Sequence, residues 1–128
     1  MLLPRAVLPA FGTPGQVSVV VVALMGAGLA QAGVSDAQRG KALIENAGCA
    51  GCHSIPGIRS PGEAGRVGPP LAAFGRRAYI AGLLPNTPQQ LARWVYDPLA
   101  INPRTAMPRV GLTEQESRDV AAYLSGLK

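Results

Sequence analysis

The chain has 128 residues, 48% of them hydrophobic but only 5% aromatic, and twelve Lys and Arg against seven Asp and Glu give a formal charge of +5. That length suits one small domain once a targeting segment is set aside. The basic residues lie singly or as the pair Arg76–Arg77, not in a run or stripe, which argues against a nucleic-acid interface and leaves an acidic protein partner as the better match.

Residues 1–32 read as a signal peptide. Arg5 is their only charge, an apolar run follows from Val17 to Ala30, and Ala30-Gln31-Ala32 has the small-residue pattern of a cleavage site. The run is about fourteen residues, short of the roughly twenty that span a bilayer as a helix. Cleavage after Ala32 is expected, leaving a domain of residues 33–128. An uncleaved segment would be a short membrane anchor, the one route by which this chain would touch a membrane.

The domain opens with Ser35-Asp36-Ala37-Gln38, a capping box in which Ser35 can bond the backbone of Gln38. Gly40, Leu43, Ile44 and Ala47 then recur at helical spacing, so an amphipathic helix is expected to run up to Gly48.

Directly after it stands Cys49-Ala50-Gly51-Cys52-His53. Cys-x-x-Cys-His is the attachment sequence of a c-type haem. Two thiols one turn apart can each add to a vinyl group of one porphyrin, and the following imidazole then lies where it can bind iron. A closed zinc site needs four Cys or His ligands, and the chain has two cysteines and one histidine. A thioredoxin-like dithiol needs a βαβ setting, and no β-type alternation flanks the motif. One covalent haem on Cys49 and Cys52, with His53 as proximal ligand, is the expected cofactor.

Residues 54–67 are rich in Gly, Pro and Ser and read as a loop, closed by Gly68-Pro69-Pro70-Leu71. A second capping box, Thr87-Pro88-Gln89-Gln90, has proline at the first helical position, where its missing N–H costs nothing. Leu91, Trp94 and Val95 make that helix's apolar stripe, and Pro98 is expected to stop it near Asp97. Residues 97–112, broken by Pro98, Pro103, Pro108 and Gly111, read as irregular. A third box, Thr113-Glu114-Gln115-Glu116, starts a last helix with the stripe Val120, Tyr123, Leu124 and Leu127, acidic at its start and ended by Lys128. Three capped helices without a strand pattern make an all-α domain.

What occupies the second face of the haem decides the function. After Ala32 there is no second histidine, and Met107 is the only methionine. It stands in Thr105-Ala106-Met107-Pro108, where neighbouring prolines restrict the backbone. As a gap-filling core residue it would need a helical or strand period that this segment lacks, so Met107 is the expected second iron ligand. His/Met ligation is an established cytochrome c pairing. Two strong ligands leave no open position for oxygen or peroxide, and an iron that changes only its charge suits one-electron transfer.

With Cys49-Ala50-Gly51-Cys52-His53, Gly68-Pro69-Pro70-Leu71 and Thr105-Ala106-Met107-Pro108 in this order, residues 35–128 resemble a class I cytochrome c. More narrowly, Arg76-Arg77-Ala78-Tyr79-Ile80-Ala81-Gly82, Asn86-Thr87-Pro88 and Leu91-Ala92-Arg93-Trp94 look like the cytochrome c domain fused to subunit II of some haem–copper oxidases. The chain lacks that subunit's copper domain and the Cys and His of its dinuclear copper, so a free-standing relative is expected. The resemblance implies short helices and loops wrapped around one covalent haem. It implies that the Pro69 carbonyl accepts a hydrogen bond from the ligand histidine, and that Trp94 packs against the haem near the methionine. Thr105 and Arg76 resemble propionate-binding groups, with Arg77 an equal candidate for the second. Gly40 and Tyr123 match the close crossing of the first and last helices.

The resemblance further implies export, since such haems are attached outside the cytoplasm, and a location in the periplasm or on the outer face of the cytoplasmic membrane. The expected function is one-electron transfer in a respiratory chain, toward a terminal oxidase or similar enzyme. Two alternatives stand beside it: a haem enzyme or gas sensor with a labile Met107, and a fixed haem subunit of a membrane oxidoreductase complex.

Overall fold

A computed structural model describes residues 36–61 and 67–128. The signal peptide expected over residues 1–32, the Ser35 capping box and the middle of the loop after the haem motif lie outside the described residues.

Helix α1 runs Asp36–Asn46, with Gly40 and Ile44 on its buried face. The Ala47 N–H still reaches the Leu43 carbonyl at 2.8 Å, and Gly48 then turns into the left-handed region at φ 76°. Nothing crowds a Cβ placed there, so backbone conformation, not space, calls for glycine. A 3₁₀ turn, Cys49–Gly51, follows at once and carries the haem motif. A second 3₁₀ turn, Phe74–Arg76, docks through the Gly75 N–H on the Leu127 carbonyl, 2.8 Å away.

Helix α2, Pro88–Tyr96, is capped by the Thr87 hydroxyl, which accepts from the Gln90 N–H at 3.3 Å. The Gln90 side chain turns to Arg93 instead, so only half of the expected box forms. Asp97 does not merely end α2. Its carboxylate accepts from the Ala100 N–H at 3.1 Å and caps the single-turn helix α3, Pro98–Ile101. The stretch expected to be irregular therefore begins with a helical turn, for which Asp97 and a proline at the first position were the signals.

Helix α4, Glu114–Ser125, begins with a complete capping box: Thr113 and Glu116 satisfy each other's backbone N–H groups at 2.8 and 3.2 Å. It stops at Ser125, so Leu127 and Lys128 lie beyond it and Lys128 is not a last-turn cation. A two-residue antiparallel ladder, β1 Tyr79–Ile80 with β2 Leu84–Pro85, is the one departure from all-helical structure among the described residues. Three residues, Ala81 to Leu83, close it: Ala81 and Gly82 take φ of 50° and 71°, and the Leu83 N–H donates to the Ile80 carbonyl at 2.9 Å. Strands this short carry no period of two to read from sequence.

Both α1 and α2 pack on α4. Ile44, Leu91, Val95, Val120 and Leu124 form the centre of the core, none more than 5% exposed. At the α1–α4 crossing the Arg39 guanidinium donates twice to the Asp119 carboxylate, at 2.9 and 3.2 Å, and Gln115 donates at 3.0 Å. Asp119 is only 3% exposed, and the hydrogen bonds from Arg39 hold its carboxyl below the ordinary Asp range against the opposing effect of burial. A lowered folded-state pKa gives stability that is complete above the unfolded value near 3.9 and lost as pH falls through the folded value. Acid unfolding should accordingly begin below about pH 4, and Asp119→Asn should flatten that limb in a pH series of denaturant midpoints. An acid limb of unchanged slope would place the titrating group elsewhere.

Candidate haem site

The 3₁₀ turn brings the motif's side chains to one side of the chain. The Cys52 and His53 N–H groups both reach the Cys49 carbonyl, at 3.2 and 2.9 Å, which sets the two sulfurs one turn apart. Both thiols are half-buried. Burial pushes the Cys49 thiol above its ordinary value, the opposite of the lowered pKa that a disulfide-exchange nucleophile needs.

The Gly68–Leu71 segment lies against this turn. Gly68 donates to the Cys52 carbonyl at 2.7 Å and Leu71 to the Ser54 carbonyl at 2.8 Å. That pairing places the Pro69 carbonyl 2.8 Å from His53 Nδ1. A carbonyl can only accept, so Nδ1 carries the proton and Nε2 keeps its lone pair. A Cβ on Gly68 would come within 2.4–2.9 Å of three ring atoms of His53. The glycine lets the imidazole lie flat on the backbone, a role the sequence motif alone did not disclose.

Met107 comes from the opposite side, on the loop between α3 and α4. Its N–H donates to the Thr105 hydroxyl at 3.2 Å, and its sulfur accepts from the Trp94 indole N–H at 3.2 Å. Arg109 holds the far end of this loop, 3.6 Å from the Asp97 carboxylate and 5.2 Å from the centre of the Tyr96 ring. Neither partner is near Arg109 in sequence, so no local pattern announces this clip.

Between the two sides is a cavity of about 400 Å³, inside the range of roughly 300–1,000 Å³ usual for cofactor pockets. Cys49, Cys52, His53, Pro69, Trp94, Thr105 and Met107 all line it. Its inner wall is the core itself: Ile44, Leu71, Phe74, Leu91, Val120 and Leu124 are both buried and cavity-lining. The donor set fits a c-type haem: two thiols for the vinyl groups, an oriented imidazole, a facing thioether, and an apolar wall for the ring.

Arg76 is not among the lining residues; Arg77 is. The 3₁₀ turn ends at Arg76, which stays exposed, and Arg77 leaves it in extended conformation with φ −73°. Consecutive side chains thus diverge, and Arg77 is the one that reaches the cavity. Its guanidinium donates to the carbonyls of Pro70 and Ala72 and lies 5.3 Å from the centre of the Phe74 ring. Asn86 steadies this segment, its amide donating to the carbonyls of Phe74 and Arg77 at 2.9 and 3.0 Å. Tyr123, expected at the helix crossing, donates its hydroxyl to the Pro56 carbonyl at 3.0 Å and ties the loop after the motif to α4.

Comparison with known proteins agrees with this geometry. The cytochrome c family model matches residues 37–128. Among curated proteins, the cytochrome c oxidase subunit 2 of Alkalihalophilus pseudofirmus is 32% identical over 93 residues. Those of Bacillus subtilis and Bacillus sp. (strain PS3) are 32% and 34% identical over 94 residues. Each alignment covers 72% of this chain but 26% of the relative, so the chain spans about a quarter of the length of the proteins it matches. The motif, the cavity and the family match agree: over residues 37–128 this chain belongs to the cytochrome c family.

Proposed function

We propose that the chain is a single-haem electron carrier, with the haem bound covalently through Cys49 and Cys52 and ligated by His53 and Met107. The observation that carries this reading is the convergence of those four side chains on one cavity from two separate parts of the chain. When bound, the haem supplies a reversible one-electron change. The residues do the rest. Cys49 and Cys52 would hold the haem through thioether bonds to its two vinyl groups, additions that would need no oxidant. Pro69 holds the proton on His53 Nδ1 and directs Nε2 to the metal, which fixes the ring and strengthens it as a donor. Arg77 and Thr105, whose hydroxyl hydrogen is left to donate, are the propionate-binding groups of this reading.

Electrons would pass through the cavity mouth, where Val67 and Tyr79 line the opening and are 81% and 61% exposed. An apolar rim beside Arg77, on a chain of charge +5, suits transient docking with a redox protein that presents an acidic face. The relatives' names support an oxidase as acceptor, whether the chain moves freely or is held in a membrane oxidoreductase complex. In the same reading the leader is removed after Ala32 and the domain acts in the periplasm or on the outer face of the cytoplasmic membrane.

Mass spectrometry of the exported protein tests the cofactor and the leader together. The expected species starts at Gly33 and keeps one haem through acid–acetone extraction. An unmodified polypeptide from cells with working haem-attachment machinery would overturn the proposal.

A further inference from the structure

The loop that carries Met107 is held unevenly along its length. Its first half is shaped by hydrogen bonds of its own. The Arg104 N–H donates to the Asn102 side chain at 3.1 Å, the Thr105 N–H to the Asn102 carbonyl at 3.0 Å, and the Met107 N–H to the Thr105 hydroxyl at 3.2 Å. Pro108 follows and has no N–H to give. Among the described residues, no backbone hydrogen bond involves residues 108–112. Apart from the apolar packing of Leu112 on the core, this second half is tied down by one side chain. The Arg109 guanidinium lies 3.6 Å from the Asp97 carboxylate and 5.2 Å from the centre of the Tyr96 ring, both at the end of α2.

Asp97 uses its two carboxylate oxygens for different ends of the same loop. Oδ1 accepts from the Ala100 N–H and starts α3, which leads into the loop, while Oδ2 faces Arg109 on the way out. We propose that Arg109 is a positioning residue for Met107: held to Asp97 and Tyr96, it latches the loop shut and sets how often the thioether yields the iron to a small competing base. This rests on the reading of Met107 as ligand and adds the group that governs its release. A base from solution reaches the iron only when the loop is open, so its apparent affinity scales with the open fraction. The latch acts on the closed state alone, because an open loop carries Arg109 away from α2. Both charged side chains are partly exposed, Arg109 at 52% and Asp97 at 26%, so salt weakens the pair.

Imidazole titrations of the oxidised holoprotein, at a pH that keeps imidazole neutral, test the latch. An exposed ion pair and an exposed cation–ring contact are each worth roughly two- to fivefold. Asp97→Asn breaks the pair but keeps the α3 cap, since asparagine caps as well as aspartate. Its imidazole midpoint should fall about threefold. Arg109→Gln loses both contacts, and its midpoint should fall about tenfold, with no further fall when Asp97→Asn is added. The two single changes alter the local charge in opposite senses, so a fall in both cannot be a field effect on the iron. The native protein supplies a test without any variant. Raising salt from about 0.01 M to about 1 M shortens the screening length from roughly 30 Å to roughly 3 Å. That change should lower the native midpoint toward that of Asp97→Asn and leave Arg109→Gln where it was. Unchanged midpoints in both variants would overturn the inference and leave Met107 as ligand, because an Arg109 that only supports the fold stays in place when imidazole binds. Midpoints that move in opposite directions, or equal salt dependence in native and Arg109→Gln proteins, would overturn it too. Absence of the methionine–iron(III) near-infrared band from the native protein would instead overturn the underlying reading, and this inference with it.

Discussion

Met107→Ala is expected to convert a closed, six-coordinate haem into one that binds carbon monoxide when reduced. The native protein should resist carbon monoxide at neutral pH and show the weak near-infrared band of methionine–iron(III) ligation. The variant should lose that band, and its potential should fall, because a thioether favours the ferrous state. Axial ligation as a whole moves haem potentials over about 0.8 V, so a drop of a substantial fraction of that span is the expected scale. Internal replacement is blocked by composition. His53 is the only histidine, and the two lysines are Lys41 and Lys128. Lys41 sits on α1 with its ammonium 2.6 Å from Glu45, and Lys128 lies at the exposed chain end. A native protein that is high-spin and takes up carbon monoxide at once would put the haem enzyme or gas sensor ahead of the carrier.

A second large effect is expected at Gly40, even from the smallest side chain. A Cβ there would stand 1.9 Å from the Asp119 carbonyl oxygen and 2.9 Å from the Val120 nitrogen. Those are backbone atoms of α4 and cannot rotate away, so α1 and α4 must separate. Separation also pulls on the Arg39–Asp119 pair, one residue from the glycine. Overpacking costs about 1–3 kcal/mol and sometimes more, and contact this close belongs at or above the top of that range. The total stability of a domain is only about 5–15 kcal/mol. The sign is diagnostic, because an uncrowded helix interior gains about 1 kcal/mol from Gly→Ala. Denaturant midpoints of native, Gly40→Ala and Gly40→Val holoproteins should fall in that order. A rise for alanine would show that the helices do not touch there.

The features legible in advance were those whose causes are local. Thr87 and Thr113 announced the starts of α2 and α4, because a cap bonds a backbone group three residues away. The haem motif was legible for the same reason: its sulfurs and imidazole are placed by one turn of chain. Met107 was legible by a different route, since the chain beyond residue 32 holds one methionine and one histidine. The resemblance to class I cytochromes c extended this to an all-helical fold, and the family match agrees. The helix at Asp97–Pro98 was misread because the same two residues that stop α2 also start α3. Lys128 was assigned to a helix that ends three residues sooner, and end positions depend on what docks there, in this case the 3₁₀ turn at Gly75.

By itself, then, the sequence pointed to the haem-attachment chemistry, the three main helices and the candidate ligands His53 and Met107, all read from residue type and short-range spacing. Only the tertiary structure decided which neighbour of a pair faces the cavity and what each ligand leans on. Arg77 in place of Arg76, Gly68 beneath His53, and Trp94 against the Met107 sulfur all depend on segments brought together from distant parts of the chain. Such contacts are fixed by the packing of α1 and α2 on α4, and the spacing of residues along a chain carries no information about them.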